Sequence, residues 1–339
     1  MTSHAEYGQE TAGSEVARAF ADQIRGKTIL VTGVSPKGIG AVTALNLASQ
    51  QPALLILASR TRSRLQEIAD HLSQIHPDTR IETVLLDLGS QQAVRQAARD
   101  VAALTDKLDI LINNAGIVVT SRQATPEGIE QQFGTNHIGP FLFTNLLLPL
   151  LRNAAQSNPP GTTRIVSLAS AGHRLSPIRF SDYNLEPGKD VPPEEDHIKP
   201  LKGAFAKCTP DGYNGIVAYA QSKTANILFA LYLQKHLAGS GIASYVLHPG
   251  TVETDLSRDQ DDELTAQFYK VGLFWKTADQ GSATTLVAAL DPALNEPQGF
   301  YLSDCQFAEP APHAGSLASA ERLWKLSEDL VGENFDLGS

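Results

Sequence analysis

Apolar residues along this chain come in short unbroken runs, and between the runs they recur one helical turn apart. The first run is "KTILVT" (27–32), and helical spacing follows over 38–50. "ALLILAS" (53–59), "IETVLLD" (81–87), "LDILIN" (108–113), "RIVSLAS" (164–170), "ASYVLHPG" (243–250) and "GFYLSD" (299–304) repeat the first signal. Helical patterns over 62–75, 90–104, 127–151 and 216–237 repeat the second. A strand that is apolar at every position has no face for water, so it belongs in a parallel sheet covered on both sides. The alternation predicts an α/β fold, a doubly wound parallel sheet of about seven strands with helices on both faces. Residues 1–25 read as a polar extension with one short helix over 15–24, and 333–339 as a tail. No repeat or linker divides 26–332, which reads as one domain.

Two segments interrupt the rhythm. Residues 174–214 are rich in Pro, Gly and charge and separate the fifth strand from the 216–237 helix. Residues 251–276 follow the sixth strand and carry Phe268, Tyr269, Leu273, Phe274 and Trp275. Both leave the carboxyl ends of strands, where open α/β sheets bind ligands. They are expected to act as lids whose aromatic residues supply apolar area for a substrate.

Composition narrows the class. With 42% hydrophobic and 19% charged residues the chain reads as globular, and its formal charge of −10 argues against a nucleic-acid or anionic-membrane surface. The longest apolar run, "FLFTNLLLPLL" (141–151), is too short for a membrane span and contains Asn145 and Pro149. The N-terminus lacks the apolar core of a secretion signal. Cys208 and Cys305 share no ligand spacing, which predicts neither zinc nor a disulfide framework and fits a reducing, cytoplasmic setting.

The candidate chemistry lies in two places. In "VTGVSPKGIG" (31–40), Gly33, Gly38 and Gly40 would let backbone approach a pyrophosphate at a helix N-terminus. In "AYAQSKTANILFALYL" (218–233), Tyr219 and Lys223 stand four apart on one helix face. A neighbouring ammonium is expected to lower the phenol's pKa and make it a proton donor or acceptor near neutrality.

Thr32-Gly33, Gly38-Ile39-Gly40, "NNAG" (113–116), Asn136, Ser170, Tyr219-x-x-x-Lys223 and "HPG" (248–250) occur in that order. Together they resemble the short-chain dehydrogenase/reductases over about 26–332. "TNHIGPFLFTNLLLPLL", "YAQSKTANILFA" and "ERLWKLSEDLV" look most like the retinol-dehydrogenase and WW-domain-oxidoreductase branch. The resemblance implies a Rossmann-type fold with a long insert before the catalytic helix. It also implies an enzyme that moves a hydride between a nicotinamide cofactor and a small carbonyl or alcohol. Tyr219 would be the general acid/base, Ser170 the hydrogen-bond donor to the reacting oxygen, Lys223 the ribose ligand, and Asn136 the anchor of a water. Ser167 is the weaker candidate for the serine. The cofactor would meet Gly33, Ser35, Lys37, Gly38, Ile39, Gly40, Arg60, Asp87, Leu88, Asn114, Ala115, Gly116, Pro249, Gly250, Val252 and Thr254, besides Tyr219 and Lys223. Helices at 127–151 and 216–237 would be the faces of a homodimer. Three departures stand out: TGxxxxGIG has one residue more than the family's TGxxxGxG, 49 residues separate Ser170 from Tyr219, and "SLAS" replaces "NVSS".

Cofactor choice follows from charge. The second strand ends at Ser59-Arg60 with no acid to hold a free ribose hydroxyl, and Lys37 stands in the glycine loop. Arg60, Arg62 and Arg64 could be a solvated helix start, but cations there oppose the helix dipole, and a bound 2′-phosphate accounts for them better. NADP(H) is the expected cofactor, no metal is expected, and the substrate is an apolar ketone, aldehyde or alcohol. The rivals are a non-redox isomerase or dehydratase of the same fold and a cofactor-binding scaffold. His137 and His248 read as structural, while His173, just past Ser170, reads as a lesser candidate for the pocket wall.

Overall fold

The computed structural model describes residues 1–198, 200–254, 263–264, 266–267 and 274–338. Strands β1 (Thr28–Thr32), β2 (Leu54–Ser59), β3 (Ile81–Leu85), β4 (Ile110–Asn113), β5 (Thr163–Leu168) and β6 (Ile242–His248) build the sheet. A small pair, β7 (Thr251–Val252) with β8 (Trp275–Lys276), stands apart from it. β9 (Tyr301–Ser303) and β10 (Gln306–Phe307) complete the main sheet in the order β10-β9-β6-β5-β4-β1-β2-β3. Every pairing from β3 to β9 is parallel, and β10 adds an antiparallel edge. The doubly wound sheet expected from the apolar runs is present.

The continuous apolar character of the strands has a direct cause. In β1, Ile29 and Val31 face a core formed with α3 (Ile39–Ala48) and α4 (Arg62–Ile75), and Leu30 faces the core on the opposite side. That second core takes α5 (Gln91–Leu104) and α7 (Gly139–Ala155), together with α8 (Gly215–Leu237). Each side of the pleat meets protein, so neither can be polar.

The helical expectations need four adjustments. The 15–24 helix is broken at Phe20 into α1 (Gly13–Ala19) and α2 (Ala21–Ile24). The polar first 25 residues pack onto the domain, burying Val16, Ala17 and Ile24, with Ser14 bonded to Asp279 through both its N–H (3.0 Å) and its hydroxyl (2.8 Å). The 127–151 helix opens as α6 (Gln131–Phe133), passes through a π-helical turn at Gly134–Ile138 and runs on to Ala155 as α7. Among the described residues, two longer helices had no sequence expectation. One is α9 (Ala278–Leu290), whose Gly, Ser, Thr and Ala residues are buried and show no polar face; the other is α10 (Leu317–Val331).

α10 covers the helices expected to pair across a homodimer. Trp324 stacks on Tyr232 with ring centres 4.2 Å apart and meets Phe141 edge-on at 4.9 Å. His137 in the π turn bonds Ser327 at 2.8 Å. The insert is fastened to the same layer. Arg179 pairs with Asp182 (2.9 Å), Gln221 of α8 accepts from Arg179 N (2.9 Å), and Glu195 pairs with Arg322 of α10 (3.0 Å). Among the described residues no helix is long and apolar enough to cross a membrane.

Replacing Trp324 by Ala should destabilise the protein by about 3–5 kcal/mol, the usual cost of emptying a buried aromatic site. Denaturant titration checks this. A loss below about 1 kcal/mol would show that α10 contributes little to the domain.

Candidate active site

The strand order reverses between β1 and β4, so the loops leaving their carboxyl ends diverge and open a crevice. Gly33 follows β1 with φ +72, and a Cβ there would lie 2.5 Å from the Ala115 Cα. Only glycine allows the two loops to come so close. The Asn114 amide donates to the carbonyls of Thr32 (2.8 Å) and Gly33 (3.2 Å), and Ala115 N–H donates to the Thr32 hydroxyl (3.1 Å). The extra residue of TGxxxxGIG is taken up by a turn in which Gly38 N–H donates to Ser35 C=O at 2.9 Å. No side chain caps α3, so the backbone N–H groups after Gly38 stay available to an anion.

A cavity of about 400 Å³ runs from this turn to α8. Its wall includes Gly33, Ser35, Gly38, Ile39, Arg60, Asp87, Leu88, Asn114, Ala115, Gly116, Ser170, Tyr219, Lys223, Pro249, Gly250, Val252 and Thr254. Three expected positions lie outside the wall. Lys37 is exposed and does not face the cavity, Gly40 packs beneath Asn114 and Gly33, and Asn136 stands behind Gly116. Arg64 was read only as part of a helix start, yet it joins Arg60 on the wall, four residues on and one turn into α4. Arg60 is exposed and has no acidic partner among the described residues. A glycine turn and an uncapped helix, with Arg60 and Arg64 on the same wall, fit a dinucleotide cofactor.

At the other end, β5 stops at Leu168, two residues before Ser170. Ser170 caps a 3₁₀ turn, Ala171–Leu175, by accepting from Gly172 N–H at 3.1 Å. Ser167 is buried within β5 beside Asn113. α8 starts where Asn214 Oδ1 accepts from the N–H groups of Ile216 (2.9 Å) and Val217 (3.0 Å). Lys223 Nζ donates to Leu168 C=O at 3.1 Å and lies 5.5 Å from the centre of the Tyr219 ring. Asn136 Oδ1 accepts from Ile117 N–H (2.8 Å), and its Nδ2 donates to Ile117 C=O (3.0 Å) and Ser222 Oγ (2.9 Å). A π turn re-aims side chains relative to a regular helix, and here it sets Asn136 between the "NNAG" loop and α8.

The electrostatics correct one expectation. Burial pushes the Tyr219 phenol up to about 12, with the Ser170 side chain opposing the shift, and pushes Lys223 down to about 8. The ammonium bonds a carbonyl instead of the phenol, so desolvation outweighs its pull. At neutral pH the site therefore holds a protonated phenol beside a charged lysine.

The three histidines are braces. His173 is fully buried; its Nδ1–H donates to Ser170 C=O (2.6 Å) and its Nε2 accepts from Ala311 N–H (3.0 Å), so only the neutral ring fits. It is absent from the cavity wall. His248 Nδ1 accepts from Ala171 N–H at 3.2 Å. Among the described residues no group of three or more His, Cys, Asp or Glu could hold a metal. The sequence reading missed Leu175, Phe205 and Ile216, which line the cavity. Of the residues expected to form a lid, Phe268, Tyr269 and Leu273 lie outside the described residues, while Trp275 is on the wall.

Known proteins carry the same frame. The pattern of the short chain dehydrogenases matches residues 27–184. Retinol dehydrogenase 11 of Mus musculus is 35% identical over 310 residues, 91% of this chain and 88% of that protein. The chain belongs to the short-chain dehydrogenase/reductase family, in its retinol-dehydrogenase-like branch. Members of this oxidoreductase family bind nicotinamide cofactors. A chloroplastic short-chain dehydrogenase, TIC 32 A of Brassica napus, is 33% identical over 96% of this chain and 94% of its own length. In structure, an uncharacterized protein of Mycobacterium Paratuberculosis superposes with a TM-score of 0.67 at 28% identity, covering 92% of this chain and 96% of that one. A Burkholderia cenocepacia short chain dehydrogenase in complex with NADP shares the fold, with a TM-score of 0.59 at 24% identity over 83% of this chain and 97% of that chain.

Burial sets how this family member responds to acid. It lowers His137 to about 3 and both His173 and His248 to about 4. Unfolded histidines titrate near 6.5, so between the folded values and about 6.5 the unfolded state binds more protons. Stability is complete above about pH 6.5 and falls as pH drops toward 4, by up to about 1.4 kcal/mol per pH unit for each histidine. Urea unfolding between pH 7.5 and 4.5 checks the slope (about that window follows from the ordinary histidine range). A stability independent of pH there would contradict the neutral-ring assignment.

Proposed function

We propose that this protein is an NADP(H)-dependent oxidoreductase acting on an apolar ketone, aldehyde or alcohol, with Tyr219 as the general acid/base. One observation carries the reading. Ser170, Tyr219 and Lys223 converge on the same cavity whose far end holds the glycine turn, Arg60 and Arg64. The bound nicotinamide supplies or accepts the hydride. In reduction, Tyr219 gives its proton to the carbonyl oxygen while Ser170 donates a hydrogen bond to the charge developing there. Lys223 contacts the nicotinamide ribose and brings a cation close to the phenol, which favours proton release. Asn136 holds the "NNAG" loop against α8 and orders a water behind Lys223. Arg60 grips the 2′-phosphate, with Arg64 beside it.

The substrate end favours apolar molecules, since Leu175, Phe205, Ile216 and Trp275 supply much of its wall. Leu175 and Phe205 come from the 174–214 insert and Trp275 from the 251–276 segment, which supports a lid that both segments form over the substrate.

Tyr219→Phe should lower kcat about 100-fold or more, the low end of what a positioned acid supplies, and leave the Kd for NADPH within about twofold. NADPH oxidation with a panel of ketones, together with a fluorescence titration of the cofactor, measures both. A variant that keeps most of its turnover would transfer the proton step to another group. A wild type that binds NADPH but oxidises it with no carbonyl would favour the isomerase or scaffold alternatives.

Arg60→Ala should weaken NADPH binding by about 1.5–3 kcal/mol, the worth of a hydrogen bond to a charged group, and leave NADH nearly unchanged. Equal losses for the two cofactors would place the 2′-phosphate elsewhere.

A further inference from the structure

His248 closes β6 and has one ring nitrogen already committed. Its Nδ1 accepts from the N–H of Ala171, the residue after Ser170, so Nδ1 carries no proton and Nε2 does. Nε2 has no hydrogen-bond partner among the described residues, and it is not sealed within the protein. His248 lines the same cavity as Ser170 and Tyr219, whose wall also carries the apolar Leu175, Phe205 and Ile216. A ring N–H with no protein partner among the described residues therefore stands one residue from Ser170 on the wall of that cavity, with Asp304, Lys276, His173 and Arg174 as its charged or titratable neighbours.

We infer that His248 is a specificity residue: its Nε2–H donates to a second oxygen on the substrate, close to the reacting carbonyl. This rests on the oxidoreductase reading above and deepens it. The favoured substrates are ketones or aldehydes that carry a further ether, hydroxyl or carbonyl oxygen beside the reacting carbon, on an otherwise apolar body. A purely hydrocarbon ketone strips water from the imidazole N–H and gives nothing back. A site built around a polar group discriminates strongly against ligands that leave it unpaired. Burial keeps the ring neutral, with its pKa pushed down to about 4, so the donor keeps one tautomer across the neutral range.

The experiment compares two ketones of the same length, methyl hexyl ketone and methyl butoxymethyl ketone, in which one methylene is an ether oxygen. kcat/KM with NADPH is measured for the wild type, His248→Asn and His248→Phe. An Asn side-chain oxygen still accepts from Ala171 N–H but does not reach as far as Nε2, whereas Phe removes both contacts. The ether ketone should lose about 10-fold or more relative to the hydrocarbon ketone in His248→Asn, chiefly through KM. His248→Phe should show the same relative loss on top of a fall for both ketones, because the Ser170 turn loses its brace. Thermal unfolding of each variant with and without NADPH establishes that it is folded. An unchanged ratio in His248→Asn, or equal losses for both ketones, would overturn the inference and leave His248 as a brace for the turn. A wild type that reduces neither ketone with NADPH would overturn the oxidoreductase reading and the inference together.

Discussion

The close contact between the loops after β1 and β4 sets the geometry on which the rest of the site depends. The order of the sheet reverses there, so two parallel strands must release their chains in opposite directions from adjacent positions. Gly33 in the left-handed region allows the approach, and the Asn114 amide bonded to the Thr32 and Gly33 carbonyls holds it. The crevice, the free N–H groups of α3 and the placement of Gly116 before Lys223 and Asn136 all follow from that junction. A Cβ at Gly116 would lie 3.2 Å from Lys223 Nζ, so a side chain there would press on the ammonium.

Around Tyr219 and Lys223, desolvation is stronger than charge pairing. Burial moves the phenol and the ammonium in opposite directions, each toward its neutral form. Leu168 C=O offsets part of the cost for Lys223, and its hydrogen bond fixes where the cation sits. The groups nearby are satisfied by backbone: Asn136 by Ile117, His173 by Ser170 and Ala311, and Asn226 by Leu168. Such bonds give the site rigidity without adding net charge, and preorganised dipoles of this kind need little rearrangement as charge develops.

Segments that look solvated in composition are held in place by polar contacts. The 174–214 insert is tied to α8 through Gln221 and to α10 through Glu195 and Arg322, and Tyr213 at its end donates to the buried Glu130 at 2.8 Å. The N-terminal 25 residues are held by Asp279 and Asp291, the latter bonding Ser3 N–H at 2.7 Å. At the N-terminus Asp279 and Asp291 each take two donors from one serine of the segment, Ser14 and Ser3. That pattern orders a chain with few apolar residues of its own.

The sequence by itself determined the sheet, its parallel sense and the crevice end, because burial on both faces forces strands to be apolar throughout and helices to separate them. It also pointed to Gly33, Tyr219 and Lys223, which the fold gathers on one cavity wall, from local spacing: a tight turn, and two side chains one helical turn apart. Tertiary structure alone decided the rest. Arg64 reaches the cavity and Lys37 does not, because the direction of each side chain depends on where a turn or helix start lies relative to a neighbouring strand. Helix α9 was invisible because packing on several sides leaves no polar face and hence no period to detect. The phenol's raised pKa also escaped the sequence: the i, i+4 spacing shows that a cation is near, but only the fold shows how much water has been removed and that the ammonium points at a carbonyl.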